Sequence, residues 1–207
     1  MATNRGKSSR PTTSLGEVLG TYGSAVDTGS GADCFLTVVT RTQGRRPHLL
    51  AEVLTGLSEQ TDRDFEVLLV RHRTAPDAAA RVDDLVALQP EWMSIRVLDV
   101  ADAGRSAPLN AGFAAARGRY VAIHDDDDLA LPAWVATFKA LATEHAGQVL
   151  RAAAVRQHVV AVEVDGEVHA QQQGDLDRPW PATFSFLDHL IVNSTPPISL
   201  AFPRAVF

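Results

Sequence analysis

The stretch YVAIHDDDD, residues 120–128, decides the fold, because a short apolar segment runs directly into four consecutive aspartates. Three similar apolar, β-branched segments precede it, and segments with apolar side chains at helical spacing lie between them. Such runs predict buried strands, and the intervening periodicity predicts amphipathic helices. The predicted strands are Cys34–Thr40, Phe65–Val70, Ser94–Val100 and Tyr120–His124, and the predicted helices are Pro47–Gln60, Asp77–Gln89, Pro108–Ala116 and Pro132–Glu144.

This alternation predicts an α/β fold, with a Rossmann-like, mostly parallel sheet and helices on both faces. Sheets of this kind bind ligands at the carboxyl ends of their strands. Polar residues stand at three of the predicted strand ends, namely Thr40–Thr42, Arg71–Arg73 and Asp125–Asp128. The sequence therefore predicts a binding site at the edge of the sheet where these ends meet.

The two ends of the chain have a less regular pattern. Residues 1–33 are rich in Gly, Ser, Thr and Ala, and we expect a disordered leader there, followed by a single domain over residues 34–207. Within that domain, Val149–Val164 predicts one or two strands, and Asp165-Gly166 predicts a hairpin turn. Thr183–Leu190 predicts a short helix, and Trp180, which lies between two prolines, is expected in a loop.

The composition excludes several classes of protein. With 19 Lys and Arg against 25 Asp and Glu, the net charge of −6 argues against a nucleic-acid-binding surface. One cysteine in 207 residues excludes an internal disulfide and a cysteine-based zinc site. We find no apolar run of transmembrane length and no signal-peptide pattern. We therefore expect a cytoplasmic protein, and peripheral attachment to the inner face of the membrane stays open.

The four adjacent aspartates favour a bound cation, because carboxylates held this close together require a counter-ion. Mg²⁺ and Mn²⁺ prefer oxygen ligands, often one or two carboxylates together with phosphate oxygens. If the chain stays extended, alternation sends Asp125 and Asp127 to one side, where they share the metal, and leaves Asp126 for a ribose hydroxyl. Asp128 then holds the loop. The alternative is a run of solvated aspartates, one of which caps the helix that begins near Pro132.

Four segments of the sequence resemble one known family, the family 2 glycosyltransferases of the GT-A fold. The first is residues 36–61, from the opening strand to the Gln60-Thr61 pair, and the second is DFEV at 64–67. The third comprises GRS at 104–106, NAG at 110–112 and ARGRYV at 116–121. The fourth is HDDDD at 124–128, followed by Leu131-Pro132 and Trp134. The resemblance covers residues 34–207, and its last two segments in tandem are the most specific.

The resemblance implies transfer of a sugar from a nucleotide diphosphate sugar to a hydroxyl of a glycan, lipid or small-molecule acceptor, usually with inversion. It implies that Asp127, with Asp125, ligates Mn²⁺ or Mg²⁺. Such a metal neutralises the charge that develops on the departing diphosphate. The residues expected at the nucleotide sugar are Thr40, Arg41, Thr42, His72, Arg105, Asn110, Asp125 and Asp126.

Two departures from the family pattern bear on the site. The family usually has an aspartate after the second strand that contacts the nucleobase, whereas this chain has Arg71-His72-Arg73. His72 then hydrogen-bonds the base, or the two arginines contact phosphate, or all three are exposed strand-end residues. The second departure is that the sequence stops at Phe207, before the family's catalytic-base motif. We therefore expect a domain incomplete at its C-terminus, with its base beyond Phe207.

Other classes of function also fit parts of the sequence. One alternative is a fragment that binds a nucleotide sugar with the same residues but does not catalyse its transfer. A nucleotidyltransferase uses a similar sheet and metal, and the segment Thr42–Arg46 is a weak version of its phosphate-binding loop. A flavodoxin-like phosphoacceptor domain also gathers acidic residues around Mg²⁺, but it places them at separate strand ends rather than in one run.

Overall fold

The computed structural model describes residues 33–101, 104, 106–175, 177–183, 185–191 and 193–207, so Arg105 and nearly all of the expected leader lie outside the described residues. Its central element is a six-stranded sheet with the strand order β3-β2-β1-β4-β10-β5. These strands are β1 (Cys34–Thr42), β2 (Phe65–His72), β3 (Ile95–Val100), β4 (Gly118–Asp125), β5 (Leu150–Arg151) and β10 (Leu200–Pro203).

The four strands β1 to β4 are parallel, and β10 joins β4 and β5 in antiparallel pairing. The chain moves outward from β1 to β2 and β3, and then crosses back to place β4 on the other side of β1. The direction of winding therefore reverses between β1 and β4. In an open α/β sheet, such a reversal opens a crevice outside the carboxyl ends of the two strands.

Helices cover both faces of the sheet, as the sequence predicts. The helices are α1 (Pro47–Ser58), α2 (Pro76–Ala87), α3 (Ser106–Ala115), α4 (Trp134–Glu144) and α5 (Phe186–Ile191). The larger core cluster joins one face of the sheet to side chains of α1, α2 and α4, whereas α3 packs its Leu109 and Phe113 against the second cluster. Trp134 and Phe138 of α4 are buried in the larger cluster.

A buried polar network ties the central strands to the end of α3. Glu66 of β2 is 5% exposed. It accepts hydrogen bonds from Thr37 Oγ1 at 2.8 Å, Arg96 Nε at 2.8 Å and the backbone N–H of Arg117 at 2.9 Å. Arg96 of β3 also donates from Nη2 to the carbonyl of Ala115 at 2.7 Å. Burial alone would raise the pKa of Glu66. The hydrogen bonds outweigh this effect, so the pKa of Glu66 is lowered.

The later part of the chain corrects two expectations. Val149–Val164 forms three short strands rather than one or two, because β5 joins the main sheet while β6 (Ala154–Arg156) and β7 (Val159–Val164) pair elsewhere. Trp180 lies in a strand and not in a loop, since β9 (Asp177–Trp180) pairs with β6. The turn at Asp165-Gly166 is confirmed, and it joins β7 to β8 (Glu167–Gln172).

Candidate functional site

The acidic run lies at the reversal point of the sheet. β1 and β4 run side by side in parallel, and Arg41 is the register partner of Asp125. The ends of these strands therefore bring the segment 40–42 next to the aspartates, although the two are far apart in the sequence. This is the position at which an α/β sheet binds its ligand.

The aspartates form a turn and do not continue the strand. β4 ends at Asp125, and the N–H of Asp128 donates to the carbonyl of Asp125 at 3.2 Å. An i to i+3 hydrogen bond of this kind closes a β-turn. The expectation that the four side chains alternate was therefore wrong, because alternation requires an extended backbone. Which of the carboxylates shares a metal stays a prediction.

Basic side chains from the end of β1 and from the loop after it neutralise the turn. Arg41 Nε donates to Asp125 Oδ1 at 3.1 Å. Arg46 donates from Nη2 to Asp126 Oδ1 and from Nη1 to Asp127 Oδ2, each at 2.7 Å. Charge-assisted hydrogen bonds at these distances are stronger than neutral ones. Three of the four carboxylates thus have an arginine as their counter-ion.

The loop that presents Arg46 is fixed at both ends. Thr42 is buried, donates from Oγ1 to Asp126 Oδ2 at 2.8 Å, and accepts from the N–H of Gly44 at 3.0 Å. Gly44 has φ +66°, a conformation that glycine adopts without steric cost. Arg46 is the residue before Pro47, the first residue of α1. The loop therefore leads from the end of β1, beside the acidic turn, directly into the helix.

Gln60, at the end of the α1 segment, holds the chain that follows the acidic turn. It is 4% exposed and donates from Nε2 to the carbonyls of Gly56 and Leu131 at 3.0 and 2.9 Å. Its Oε1 accepts from the N–H of Val135 at 3.1 Å, in the first turn of α4. Its hydrogen bonds with Leu131 and Val135 thus fix where the segment after the aspartates returns to the core.

Two buried polar side chains lie beneath the turn. His124 is fully buried, its Nδ1 is 3.1 Å from the carbonyl of Asp125, and its ring packs edge-on against Trp134. Burial lowers the pKa of His124 to about 4, so the imidazole is neutral near pH 7. Thr40, its register partner on β1, is also fully buried. His124 Nε2 and Thr40 Oγ1 have no hydrogen-bond partner among the described residues.

Asp128 differs from the other aspartates of the run. Burial, and then the charges of Asp125 and Asp127, raise the pKa of Asp128 to about 6. Its half-buried side chain and its N–H bond to Asp125 fit the expected role of holding the loop. That role nevertheless stays a prediction, since carboxyl groups with a raised pKa occur at functional sites as well.

The last two residues of β2 differ in role: Arg71 is structural, and His72 is a candidate binding residue. Arg71 donates to both oxygens of Asp99 at 2.8 and 2.7 Å and to Asp83 at 2.7 Å, so it joins β2 to β3 and α2. These contacts argue against a phosphate role for Arg71. His72 is buried, and its Nδ1 has no hydrogen-bond partner among the described residues. Burial, and then the charge of Arg41, lower the pKa of His72.

Two of the expected donor residues are not brought to the turn by described contacts. Arg105 lies outside the described residues. Asn110 is exposed on α3, and among the described residues no hydrogen bond or ion pair joins it to the aspartates. Sequence reasoning missed Arg46 as the partner of two aspartates. The available signal was a basic residue at the start of a helix that follows the strand next to the acidic run.

The residues of the turn fit a hard divalent cation that is shared with a ligand. Within the described ranges, no three Asp, Glu, His or Cys side chains form a complete metal cage. Mg²⁺ is usually held by one or two carboxylates, with phosphate oxygens and water as the other ligands. The side chain of Asp127 is 44% exposed, against 27% for Asp125 and 15% for Asp126. Asp127 is therefore the carboxylate most accessible to such a cation.

The fold and the site together define an α/β domain with an acidic turn at the reversal point of its sheet. Residues 37–166 match the family described as Glycosyl transferase family 2, and this match spans more than half of the 207 residues. The chain belongs to that family. The nucleotidyltransferase and phosphoacceptor alternatives are therefore not supported.

One curated relative and two solved structures illustrate the likeness. The chain is 35% identical over 79 residues to the uncharacterized glycosyltransferase EpsJ of Bacillus subtilis (strain 168), which covers 38% of this chain and 22% of EpsJ. It matches S. aureus TarS 1–349 in complex with UDP-GlcNAc at TM-score 0.58 and 18% identity, over 83% of this chain and 46% of that one. It matches the mannosyltransferase PcManGT from Pyrobaculum calidifontis, in complex with GDP-Man and Mn²⁺, at TM-score 0.51 and 22% identity, over 61% of this chain and 37% of that one.

These likenesses confirm the predicted fold class. The chain spans less than half of the length of each of these three proteins. In the part of the chain that the structure describes, no helix is long and apolar enough to cross a bilayer.

Proposed function

We propose that this domain transfers a sugar from a nucleotide diphosphate sugar to an acceptor hydroxyl, with the help of a divalent cation. One observation carries the proposal: the acidic turn Asp125–Asp128 lies at the reversal point between β1 and β4, beside the end of β1. Membership of Glycosyl transferase family 2 supports the reaction class. The complexes of TarS with UDP-GlcNAc and of PcManGT with GDP-Man and Mn²⁺ support the kind of donor and cation.

Within this proposal the acidic turn holds the cation. Asp127 is its accessible ligand, and Asp125 adds a second oxygen at the end of β4. The cation neutralises the negative charge that develops on the departing diphosphate. Asp126 and Thr42, which are hydrogen-bonded to each other, border the ribose.

The nucleoside lies along the ends of β1 and β2. Thr40 and Arg41 form one side of this subsite, and His72 contacts the base. The buried Nδ1 of His72, without a hydrogen-bond partner among the described residues, supports that role, because buried polar atoms are normally paired. We assign Arg105 and Asn110 to the sugar and diphosphate side on the resemblance alone.

We leave the catalytic base unassigned, and we expect inversion at the transferred carbon by the family resemblance. Asp188 and His189 belong to the short helix α5. Neither residue is assigned as the base. We further propose a cytoplasmic location, which a single cysteine supports because lone thiols suit a reducing compartment.

The test is calorimetric titration of UDP, GDP and dTDP into the chain in the presence and absence of Mn²⁺. We expect one nucleotide to bind, and we expect that binding to require both Mn²⁺ and Asp127. Asp127→Ala should weaken it at least tenfold, whereas Asp84→Ala, which removes an exposed aspartate of α2, should leave it unchanged. Failure of all three nucleotides to bind a folded chain would contradict the proposal.

Binding without turnover is tested separately. The matching nucleotide sugar is incubated with the chain, and release of the nucleoside diphosphate is followed with and without candidate acceptor sugars. Release that depends on Asp127 supports transfer or hydrolysis. Tight binding with no release supports the alternative of a donor-binding domain.

A further inference from the structure

Arg46 bridges two neighbouring carboxylates of the acidic turn. One guanidinium nitrogen contacts Asp126 and the other contacts Asp127, each at 2.7 Å. The two guanidinium nitrogens thus contact two different side chains and do not bind both oxygens of a single carboxylate. In this position the guanidinium supplies the positive charge that two adjacent carboxylates require.

The contact is strong in geometry and yet open to solvent. The side chain of Arg46 is 47% exposed and that of Asp127 is 44% exposed. Exposed ion pairs contribute little to stability, so a competing ligand can displace them at low cost. Arg41, by contrast, is 21% exposed and is held beside Asp125 by the strand register. Arg46 is therefore the exchangeable cation of the turn, and Arg41 is the fixed one.

The backbone keeps Arg46 close to the site whatever its side chain contacts. The loop before it is fixed by the Thr42 to Gly44 hydrogen bond, and α1 starts immediately after it at Pro47. The first turn of α1 contains no acidic residue. A helix N-terminus whose own first turn carries no carboxylate favours an incoming anion. A guanidinium released from Asp127 thus stays at a position that suits a diphosphate.

We propose that Arg46 is an exchangeable counter-ion of the acidic turn. It holds Asp126 and Asp127 in the absence of donor, gives up Asp127 when a divalent cation binds there, and moves to the donor diphosphate. This inference rests on the proposed function, because it requires both a cation and a diphosphate at the turn. It adds that Arg46 lowers the affinity of the turn for the cation and raises its affinity for the nucleotide.

The proposal predicts two changes of opposite sign in Arg46→Ala. Mn²⁺ alone should bind about 3- to 10-fold more tightly, because one or two exposed ion pairs no longer compete for the carboxylates. UDP or GDP, measured in saturating Mn²⁺, should bind about 10-fold more weakly, because a charge-assisted contact to the diphosphate is lost. Arg46→Lys should lie between wild type and alanine in both measurements, because lysine keeps the charge without the fork.

The experiment uses the full chain and two readouts. Free Mn²⁺ is quantified by electron paramagnetic resonance without nucleotide, and UDP and GDP are titrated calorimetrically in saturating Mn²⁺. Arg45→Ala, which removes the exposed neighbouring arginine, is the matched control and should change neither value. Circular dichroism checks that every variant is folded, and Arg46→Lys retains the test if the alanine variant is not.

The outcomes separate this inference from the proposed function. Tighter Mn²⁺ binding together with weaker nucleotide binding in Arg46→Ala supports the inference. If wild type binds a nucleotide with Mn²⁺ but Arg46→Ala binds Mn²⁺ equally or less well, the inference is wrong and the proposed function stands. If nucleotide affinity is unchanged in Arg46→Ala, the transfer to diphosphate is wrong. If wild type binds neither UDP nor GDP, the proposed function fails, and the inference fails with it.

Discussion

Substitution of Glu66 tests whether the buried network between β1, β2, β3 and α3 stabilises the domain. Glu66→Ala removes one partner of a buried ion pair and takes an acceptor away from three donors: Arg96, the Thr37 hydroxyl and the N–H of Arg117. The N–H of Arg117 keeps Thr37 Oγ1 as a second acceptor, and Arg96 keeps the carbonyl of Ala115. Breaking a fully buried pair in this way costs about 3–5 kcal/mol. The Arg96 side chain is 28% exposed, so water compensates part of the loss. We therefore expect unfolding free energy to fall by about 2–3 kcal/mol.

Glu66→Gln separates charge from hydrogen bonding. Three of the four bonds go to Oε1, from Thr37, from the Arg117 N–H and from Arg96 Nη2, and a glutamine carbonyl at that position still accepts them. Its amide group then faces Arg96 Nε, a donor that Oε2 satisfied before. Because one charge-assisted hydrogen bond is lost, we expect the free energy of unfolding of Glu66→Gln to fall by about 1–2 kcal/mol.

Urea unfolding, followed by circular dichroism, measures both variants against wild type, with Glu91→Gln at an exposed turn position as the control. At the usual urea dependence for a protein of this size, about 2 kcal/mol per M, Glu66→Ala should lower the midpoint by roughly 1 M. Equal losses for alanine and glutamine, or losses no larger than that of the control, would refute the network argument.

The same residue predicts a dependence on pH. The pKa of Glu66 lies below its usual value of 4.5. A lowered pKa in the folded state stabilises the protein above the unfolded-state value, and this contribution is lost as pH falls through the folded-state value. The stability difference between wild type and Glu66→Gln should therefore shrink as pH falls below about 4.5.

Three further substitutions test other features. Gln60→Leu removes the side chain that fixes the segment after the acidic turn, and we expect a loss of about 2–3 kcal/mol in urea unfolding together with weaker nucleotide binding; nucleotide affinity equal to wild type would show that this segment does not position the turn. Gly118→Ala places a methyl carbon against the backbone nitrogen of Thr37, closer than van der Waals contact, so the thermal midpoint should fall by several degrees. An unchanged midpoint would contradict the close packing of β4 on β1. His124→Asn removes a buried imidazole whose pKa is about 4. Because the unfolded chain binds a proton near pH 6.5 and the folded chain does not, wild-type stability should decline between pH 6.5 and 4 by up to about 3 kcal/mol more than that of the variant, and parallel pH profiles would contradict a neutral His124.

The alternation of strands and helices was predictable because apolar periodicity records burial directly. The strands β1, β2 and β4 are buried on both faces, and their sequences are apolar runs that admit few other structures. β5, of two residues, and β9, which contains a proline, have no such pattern. Their pairing depends on β10 and β6, which come from other parts of the chain, so local sequence does not specify it.

The candidate site was predictable in position and less so in its contacts. The strand before Asp125 located the turn, but the assumption of extended backbone misassigned the directions of the side chains. Asp126 and Asp127 share Arg46 as their partner, and Arg46 lies 80 residues from Asp126 in the chain. Glu66 did give a signal, because a carboxylate inside an apolar strand requires a buried partner. Identifying that partner as Arg96 required the register of β2 against β3.

β3 lies at the edge of the six-stranded sheet, where it can pair with a strand of another molecule. An edge strand leaves one row of N–H and C=O groups free to pair with another molecule, and this is a route to aggregation. β3 carries Arg96 and Asp99, which are paired with Glu66 and Arg71 on adjacent β2. Charged residues on an edge strand discourage intermolecular pairing. Arg96 and Asp99 therefore disfavour pairing of β3 with another molecule, in addition to joining β3 to β2.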